Sequence, residues 1–298
     1  MITVLKFCSR SGVLCQGLSF RKASRFLNVT YRPYTSRARN IKDKLDLYVK
    51  PLAFTTMVCT GSFCLSYVCY WRGREWVRHS DTLIKAWRWW DHVAGKEKIF
   101  CGILLVNTMV FCMWRFPPMQ RSMAWYFQSV PDGRPVISML LSCFSHYEFW
   151  HISINMFVLW SFMPAFEKIV GSDNAVPFFI SAGVFSSLMS HYNALLRKDF
   201  IPSRGASGAI MGVITAVIAH SPDASVYLIF LPFVPIPAVW ALGGVITLDL
   251  VGLIRGWKVF DHAAHLGGVL FALLYDQVFS AEVVKLKRMI KKLLPPSR

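Results

Sequence analysis

Two polar residues in apolar surroundings stand out as a candidate nucleophile and base. Ser207 lies between small residues, in the sequence Gly-Ala-Ser-Gly at 205–208, where an apolar run begins. Little side-chain bulk surrounds its hydroxyl, and Gly205 permits a tight turn with positive φ before a helix. His265 lies within a second apolar run. Because a histidine is costly inside a hydrophobic segment, we predict a functional site there, with Ser207 as its partner.

Small residues indicate how these two side chains could meet. A serine hydroxyl becomes an effective nucleophile only when a base within hydrogen-bond distance accepts its proton. Both predicted helices carry small residues four apart, Gly208-x-x-x-Gly212 and Gly268-x-x-x-Ala272. Such faces allow two membrane helices to approach closely. The sequence therefore predicts that the helices carrying Ser207 and His265 pack against one another.

A third predicted helix carries two hydrogen-bond donors. His151 and Asn155 are four residues apart and so share one face of a helix. Attack on a carbonyl creates an oxyanion that needs donors, and the backbone N–H of Ser207 at a helix start is a further one. Together these residues predict an acyl-transfer site built from three helices. The alternative is that His151 and Asn155 are polar contacts between helices.

Three further polar residues lie in or beside the same apolar runs. Asp249 is a carboxylate without an evident partner, so we predict a packing or cavity-facing role rather than a catalytic one. Asp261 precedes His265 by one helical turn and is a candidate third member of a catalytic triad. His262 lies off the helix face of His265, and we predict a structural role for it.

Three other hydrolytic chemistries do not fit the spacing. A zinc protease needs His-Glu-x-x-His, whereas His146 and His151 are five apart and Glu148 is misplaced between them. The nucleophile turn of an α/β-hydrolase reads Gly-x-Ser-x-Gly, and Ala209 occupies the last position. An intramembrane aspartyl protease needs two facing carboxylates, and Asp249 lacks a mate. We therefore predict no metal ligands.

The composition indicates that membrane helices position these residues. The 298 residues are 54% hydrophobic and 16% charged, against about 25% charged in ordinary soluble domains. Because about 20 apolar residues suffice to span a bilayer, we predict an all-α polytopic membrane protein with irregular loops at 117–148 and 222–236. Its seven predicted spans lie near residues 51–71, 99–116, 149–166, 176–195, 206–221, 237–254 and 261–279.

The net charge of +17 is concentrated towards the ends of the chain. Eleven basic residues lie in 1–50 and six from Lys285 onward, which is typical of segments flanking membrane spans and argues against nucleic-acid binding. Residues 1–42 are basic and contain no acid, as in a mitochondrial transit peptide, with a disordered basic tail as the alternative. We further predict an extra span with an amphipathic linker at 43–98 and a basic tail at 280–298.

The combined motifs resemble the rhomboid intramembrane serine proteases. The resemblance covers about residues 99–279, which would form that family's six-helix core after one additional span. The presequence, the extra span and the run 257–268 look most like the mitochondrial, presenilin-associated rhomboid-like branch. The motifs that carry the resemblance are Gly205-Ala206-Ser207-Gly208, Ala264-His265 followed by Gly268, and His151-x-x-x-Asn155.

The resemblance implies a role for each candidate residue. Ser207 would be the nucleophile and His265 the base of a dyad that needs no third acid. The residues implied in oxyanion stabilisation are His151, Asn155 and Gly205. The resemblance also implies no cofactor, transmembrane proteins as substrates, and a multi-pass location in the mitochondrial inner membrane.

Met211 departs from the family pattern. Many members carry an aromatic residue one turn after the serine, where it supports the histidine ring, so the orientation of His265 needs another explanation. Two other functions stay open at this point. One is a rhomboid-like protein that binds and routes membrane helices without cutting them; the other is a channel or transporter lined by the same polar residues.

Overall fold

The computed structural model describes residues 41–78, 82, 84–85, 97–228 and 231–293, and these are mostly helical, as predicted. The predicted transit peptide lies outside the described residues except for its last two positions. Three single turns of tighter or wider helix occur at Pro117–Met119, Ser142–Phe144 and Tyr275–Phe279. The α-helices are α1 (Ile41–Arg78), α2 (Lys98–Met113), α3 (Gln120–Tyr126), α4 (Ser138–Leu141), α5 (Phe149–Val170), α6 (Ser172–Arg197), α7 (Ser207–His220), α8 (Ala238–Arg255), α9 (His262–Leu274) and α10 (Ser280–Leu293).

Three of the described helices are long and apolar enough to cross a bilayer: Leu45–Cys69 within α1, all of α5, and all of α8. A fourth span results if α2 and Pro117–Tyr126, which are bent by 96° relative to each other, are counted as one. Helix α7 is apolar but has only 14 residues, fewer than the roughly 20 that cross the hydrocarbon core. The total of seven spans stays a prediction.

Helix α6 holds the helices that carry the candidate site. It packs against α1, α7 and α9, and most of its central residues are buried. Phe178 of α6 lies at the centre of an aromatic cluster, with ring centroids 4.9 Å from Phe166 of α5, 5.2 Å from Phe271 of α9 and 4.9 Å from Tyr275. Edge-to-face ring pairs of this kind each contribute about 0.5–1.5 kcal/mol beyond area burial. The cluster therefore fixes α9 relative to α5 and α6.

The prediction of an irregular loop at 222–236 is wrong. Strands β1 (Ser225–Leu228) and β2 (Leu231–Pro237) form an antiparallel hairpin. Ala238 N–H donates to Ala224 O at 2.8 Å just outside it, so by alternation the N–H positions of residues 235 and 237 point away from the partner strand. Pro235 and Pro237 therefore remove no hydrogen bond from the ladder. The prolines that suggested a loop are compatible with a strand at these positions.

The predicted irregular loop 117–148 is more ordered than expected, because it contains α3 and α4. Arg134, only 8% exposed, donates to Asp132 at 2.9 Å and to the carbonyl of Ala124. Ser129 exchanges both backbone hydrogen bonds with Ser203, at 3.0 and 2.9 Å. The loop is thereby fixed to the segment that leads into α7.

Candidate active site

Gly205 shapes the turn that presents Ser207. Its φ is +119°, a conformation that residues with a side chain rarely adopt. A Cβ at this position would also lie 2.9 Å from His151 Cε1. Glycine is therefore needed at position 205 both for the backbone conformation and for the close approach of His151. The Gly205 N–H donates to Ser142 O at 2.9 Å, which fixes the turn to the preceding loop.

Ser207 and His265 are in hydrogen-bond contact. Ser207 Oγ lies 3.0 Å from His265 Nε2, with Ser207 at the first residue of α7 and His265 in the first turn of α9. A Cβ on Gly268 would lie 1.9 Å from Gly208 O, and a Cβ on Gly212 would lie 3.3 Å from Gly268 O. The close approach predicted from the small residues is confirmed, and it brings the hydroxyl to the imidazole.

Asp249 accounts for the orientation of His265. His265 Nδ1 lies 3.2 Å from both carboxylate oxygens of Asp249, which is 2% exposed. The expectation that Asp249 lacks a partner is therefore wrong. In the tautomer that donates from Nδ1 to the carboxylate, Nε2 is the acceptor for the proton of Ser207. Met211 provides no aromatic support, but this contact and the ring of Phe260, whose centroid lies 6.2 Å from that of His265, both constrain the imidazole.

Asp261 is engaged elsewhere. One of its carboxylate oxygens accepts the Ala264 N–H at 3.1 Å, which caps the N-terminus of α9, and the other accepts the hydroxyl of Ser190 at 2.6 Å. Side-chain capping of this kind satisfies a backbone donor that has no partner within the helix. Asp261 is thus a helix cap, and of the two aspartates considered from sequence it is Asp249 that contacts His265.

The three residues predicted to stabilise an oxyanion differ in their surroundings. His151 and Ser207 line the same cavity, and the ring of His151 lies against Gly205. Asn155 lies one turn further along α5, is 6% exposed, and donates from Nδ2 to His151 O at 2.8 Å. The structure therefore brings His151 and Gly205 to the serine, whereas the amide of Asn155 already donates one hydrogen bond within its own helix.

His146 is a residue that sequence reasoning considered only as a metal ligand. It is fully buried, and its Nε2 accepts the N–H of Ala206 at 3.3 Å, one residue before Ser207. Burial lowers its pKa to about 3, with smaller contributions from His151 and Arg204, so the ring is neutral and able to accept. The only sequence signal for this role is the position of His146, five residues before His151 and just before the start of α5.

A cavity of about 690 Å³ is lined in part by Ser207, His151 and His265. Charged pairs lie along its wall, with Arg204 and Glu148 3.4 Å apart and Lys258 and Asp199 2.6 Å apart. These charged groups lie along the same cavity as Ser207 and can hydrogen-bond water there. Across the described ranges, histidine, cysteine, aspartate and glutamate form no group of three or more that could hold a metal ion.

Comparison with known proteins identifies a family. A model of the Rhomboid domain matches residues 134–282, half of the chain. The human and mouse proteins named "Presenilin-associated rhomboid-like protein, mitochondrial" are 43% identical over 189 residues, covering 63% of this chain and 50% of theirs. The yeast protein "Rhomboid protein 1, mitochondrial" from Saccharomyces cerevisiae is 34% identical over 192 residues, covering 63% of this chain and 55% of its own. The chain thus matches about half the length of these relatives.

Proposed function

The chain belongs to the rhomboid family, and we propose that it is an intramembrane serine protease that hydrolyses peptide bonds in or beside transmembrane helices of other proteins. The observation that carries this proposal is the 3.0 Å contact between Ser207 Oγ and His265 Nε2, with Asp249 on the opposite ring nitrogen. A nucleophile, its base and a group that orients the base are the parts that acyl transfer requires.

In the first half of the proposed reaction, Ser207 Oγ attacks the carbonyl carbon of the scissile bond while its proton passes to His265 Nε2. The imidazolium that forms is stabilised by Asp249, and the oxyanion accepts hydrogen bonds from the Ser207 N–H and from His151. Collapse of this intermediate breaks the C–N bond. His265 then gives its proton to the departing amine, and an acyl-enzyme ester remains on Ser207.

In the second half, water from this cavity hydrolyses the ester. His265 takes one proton from the water as it attacks the acyl carbon and returns that proton to Ser207 Oγ as the carboxylic acid product leaves. The enzyme ends in its starting state without a cofactor. The charged wall of the cavity supports this step, because a purely apolar site in a bilayer would exclude the water.

The proposed substrate class follows from the geometry of helices. Backbone carbonyls within a transmembrane helix are bonded inside that helix, and unbonded backbone is tolerated in a bilayer only when it is buried or lines a water-filled cavity. A substrate must therefore unwind locally before its carbonyl reaches Ser207. We expect preferred substrates to carry small or helix-weakening residues near the cleaved bond.

We also propose that the protein is a multi-pass protein of the mitochondrial inner membrane. The relatives described above are named as mitochondrial, and the basic N-terminal 42 residues have the composition of a transit peptide. The proposed organisation keeps an extra span and linker at 43–98, a protease core at 99–279 and a basic tail at 280–298. Import into isolated mitochondria, followed by selective opening of the outer membrane and protease treatment, tests the location.

The activity is tested by reconstituting the full chain in liposomes with a model transmembrane substrate. Wild type is compared with Ser207→Ala and His265→Ala, each checked for folding by its thermal transition. We expect both substitutions to lower kcat by at least about 10⁴-fold, because nucleophile and base act as one unit. Labelling by a fluorophosphonate probe, which reacts with activated serines, is measured in parallel.

The outcomes separate the candidate functions. Labelling and cleavage by wild type, lost in both variants, establish the protease. If Ser207→Ala cuts as well as wild type, the proposal is wrong. If wild type is neither labelled nor active but still captures the substrate helix, the protein is a helix-binding member of the family.

A further inference from the structure

A second histidine shares the carboxylate that orients His265. His262 Nδ1 lies 2.6 Å from Asp249 Oδ1, whereas His265 Nδ1 lies 3.2 Å from each oxygen. The side chains of His262 and Asp249 are 3% and 2% exposed. The shorter contact of the carboxylate is therefore made with the histidine that does not touch Ser207.

Gly252 of α8 leaves the space that the imidazole of His262 occupies. A Cβ on Gly252 of α8 would lie 2.3 to 2.6 Å from three atoms of the imidazole. The rings of Trp257 and Phe260 flank it, with centroids at 6.3 and 6.2 Å. Any side chain at Gly252 would displace the ring, so this glycine leaves the space from which His262 reaches Asp249.

The surroundings of His262 also determine which ring nitrogen makes its hydrogen bond. Its Nε2 is buried and has no hydrogen-bond partner in the described part of the chain. A proton on that nitrogen would be a buried donor without an acceptor, which costs free energy. Nδ1 is therefore the nitrogen through which the ring donates, and Asp249 accepts this hydrogen bond. The carboxylate is thus held by His262 while both of its oxygens lie 3.2 Å from His265 Nδ1.

We propose that His262 is a positioning residue for hydrolysis, acting on His265 through Asp249; this inference rests on the proposed protease function. The terminal torsion of an aspartate is soft, so one contact does not fix the plane of its carboxylate. The donor on His262 fixes it with both oxygens towards His265 Nδ1. Neighbouring Asp261 does not compete, because it caps α9 and accepts from Ser190.

Three substitutions at position 262 test this role in the reconstituted full chain. His262→Leu removes the donor and keeps an apolar side chain in the pocket. His262→Asn keeps an amide N–H at the place of Nδ1, and His262→Gln moves that N–H to the place of Nε2, where no acceptor lies. The control is His191→Asn, at a buried histidine that bonds Leu47 O at 3.0 Å in the contact between α6 and α1.

We expect His262→Leu and His262→Gln to lower kcat roughly 10- to 100-fold with KM unchanged, as for other small displacements of a reacting group. His262→Asn should recover most of that loss. Adding Asp249→Asn to His262→Leu should cost no more than Asp249→Asn alone, because residues that act through one another are not additive. Each variant is compared at matched folded concentration, taken from its thermal transition.

The results that overturn the proposal are distinct from failure of the protease proposal itself. Equal kcat in wild type and His262→Leu, or equal loss in His262→Asn and His262→Leu, reduces His262 to a packing residue. Additive losses in the double variant would mean that it acts by another route. Failure of the protease proposal is instead seen in wild type, which would then be neither labelled by fluorophosphonate nor active.

Discussion

Helices α7 and α9 lie side by side, and a histidine–aspartate contact occurs near each end of the pair. At one end His265 contacts Asp249, with side chains 15% and 2% exposed. At the other end His220 Nε2 lies 3.4 Å from Asp276 Oδ1, with side chains 43% and 41% exposed. The same two residue types thus occur in two surroundings, which separates the effect of chemistry from that of position.

Burial and additional partners distinguish the two contacts. His265 uses its second nitrogen on Ser207, and its aspartate is held by His262. His220 uses Nδ1 on Ala216 O of its own helix, at 2.9 Å. Exposed ion pairs are screened by water and salt, whereas a buried, hydrogen-bonded carboxylate acts in a low dielectric. A histidine and an aspartate thus become a candidate catalytic pair here through the burial and the further partners of both side chains.

Substitution of the two aspartates is expected to give the largest difference in kcat between the two ends of the helix pair. In Asp249→Asn the new amide can donate to His265 Nδ1, which favours the tautomer with a proton on Nε2 that cannot accept from Ser207. We expect kcat to fall about 10²- to 10⁴-fold, as in serine proteases with a Ser-His-Asp triad. Asp276→Asn is the matched control and should leave kcat near the wild-type value. Comparable losses in both would contradict the distinction.

The proposed oxyanion donors provide the next test, because His151 and Asn155 lie one turn apart on α5 and differ in their contacts. His151→Ala removes a side chain in the cavity, and we expect kcat to fall about 10²- to 10³-fold with little change in KM. Asn155→Ala should cost less, because its amide already donates to His151 O.

A matched asparagine controls for the loss of a helix contact. Asn174 makes the same backbone contact at the far end of the molecule, to Val170 O at 2.7 Å, so Asn174→Ala should not change kcat. If Asn155→Ala costs as much as His151→Ala, its amide turns to the substrate during the reaction.

Two glycine substitutions test whether the end of the helix pair that carries Ser207 and His265 depends on the close approach of α7 and α9. Gly268→Ala would place a Cβ 1.9 Å from Gly208 O, whereas Gly243→Ala on α8 meets no heavy atom within 4 Å. We expect the first to lower the free energy of unfolding by roughly 1–3 kcal/mol, as overpacking does, and to slow fluorophosphonate labelling of Ser207. The second should be neutral or stabilising by up to about 1 kcal/mol. Thermal transitions in detergent measure both, and equal transitions would show that the approach is not tight.

Sequence alone predicted the helical membrane fold and the close packing of α7 on α9, because long apolar runs and small residues four apart have few other structural solutions. It did not predict the contact of Asp249, which lies 16 residues before His265. That contact depends on the turn between α8 and α9, and one sequence does not show which helix faces meet after a turn. The hairpin was missed because the effect of a proline depends on which way its missing N–H would have pointed.

The smallest effect is expected at the far end, from a double-mutant cycle on His220 and Asp276. Both side chains are more than one-third exposed, so their coupling should lie between zero and about 1 kcal/mol and vanish in high salt. Along α7 the far end is about 20 Å from Ser207, and kcat in liposomes should not change in His220→Ala, Asp276→Ala or the double variant. A tenfold loss of kcat would mean that α7 transmits a distortion along its whole length. The exposed His220–Asp276 contact would then affect catalysis as well. Burial would no longer explain why only the His265–Asp249 contact belongs to the candidate site.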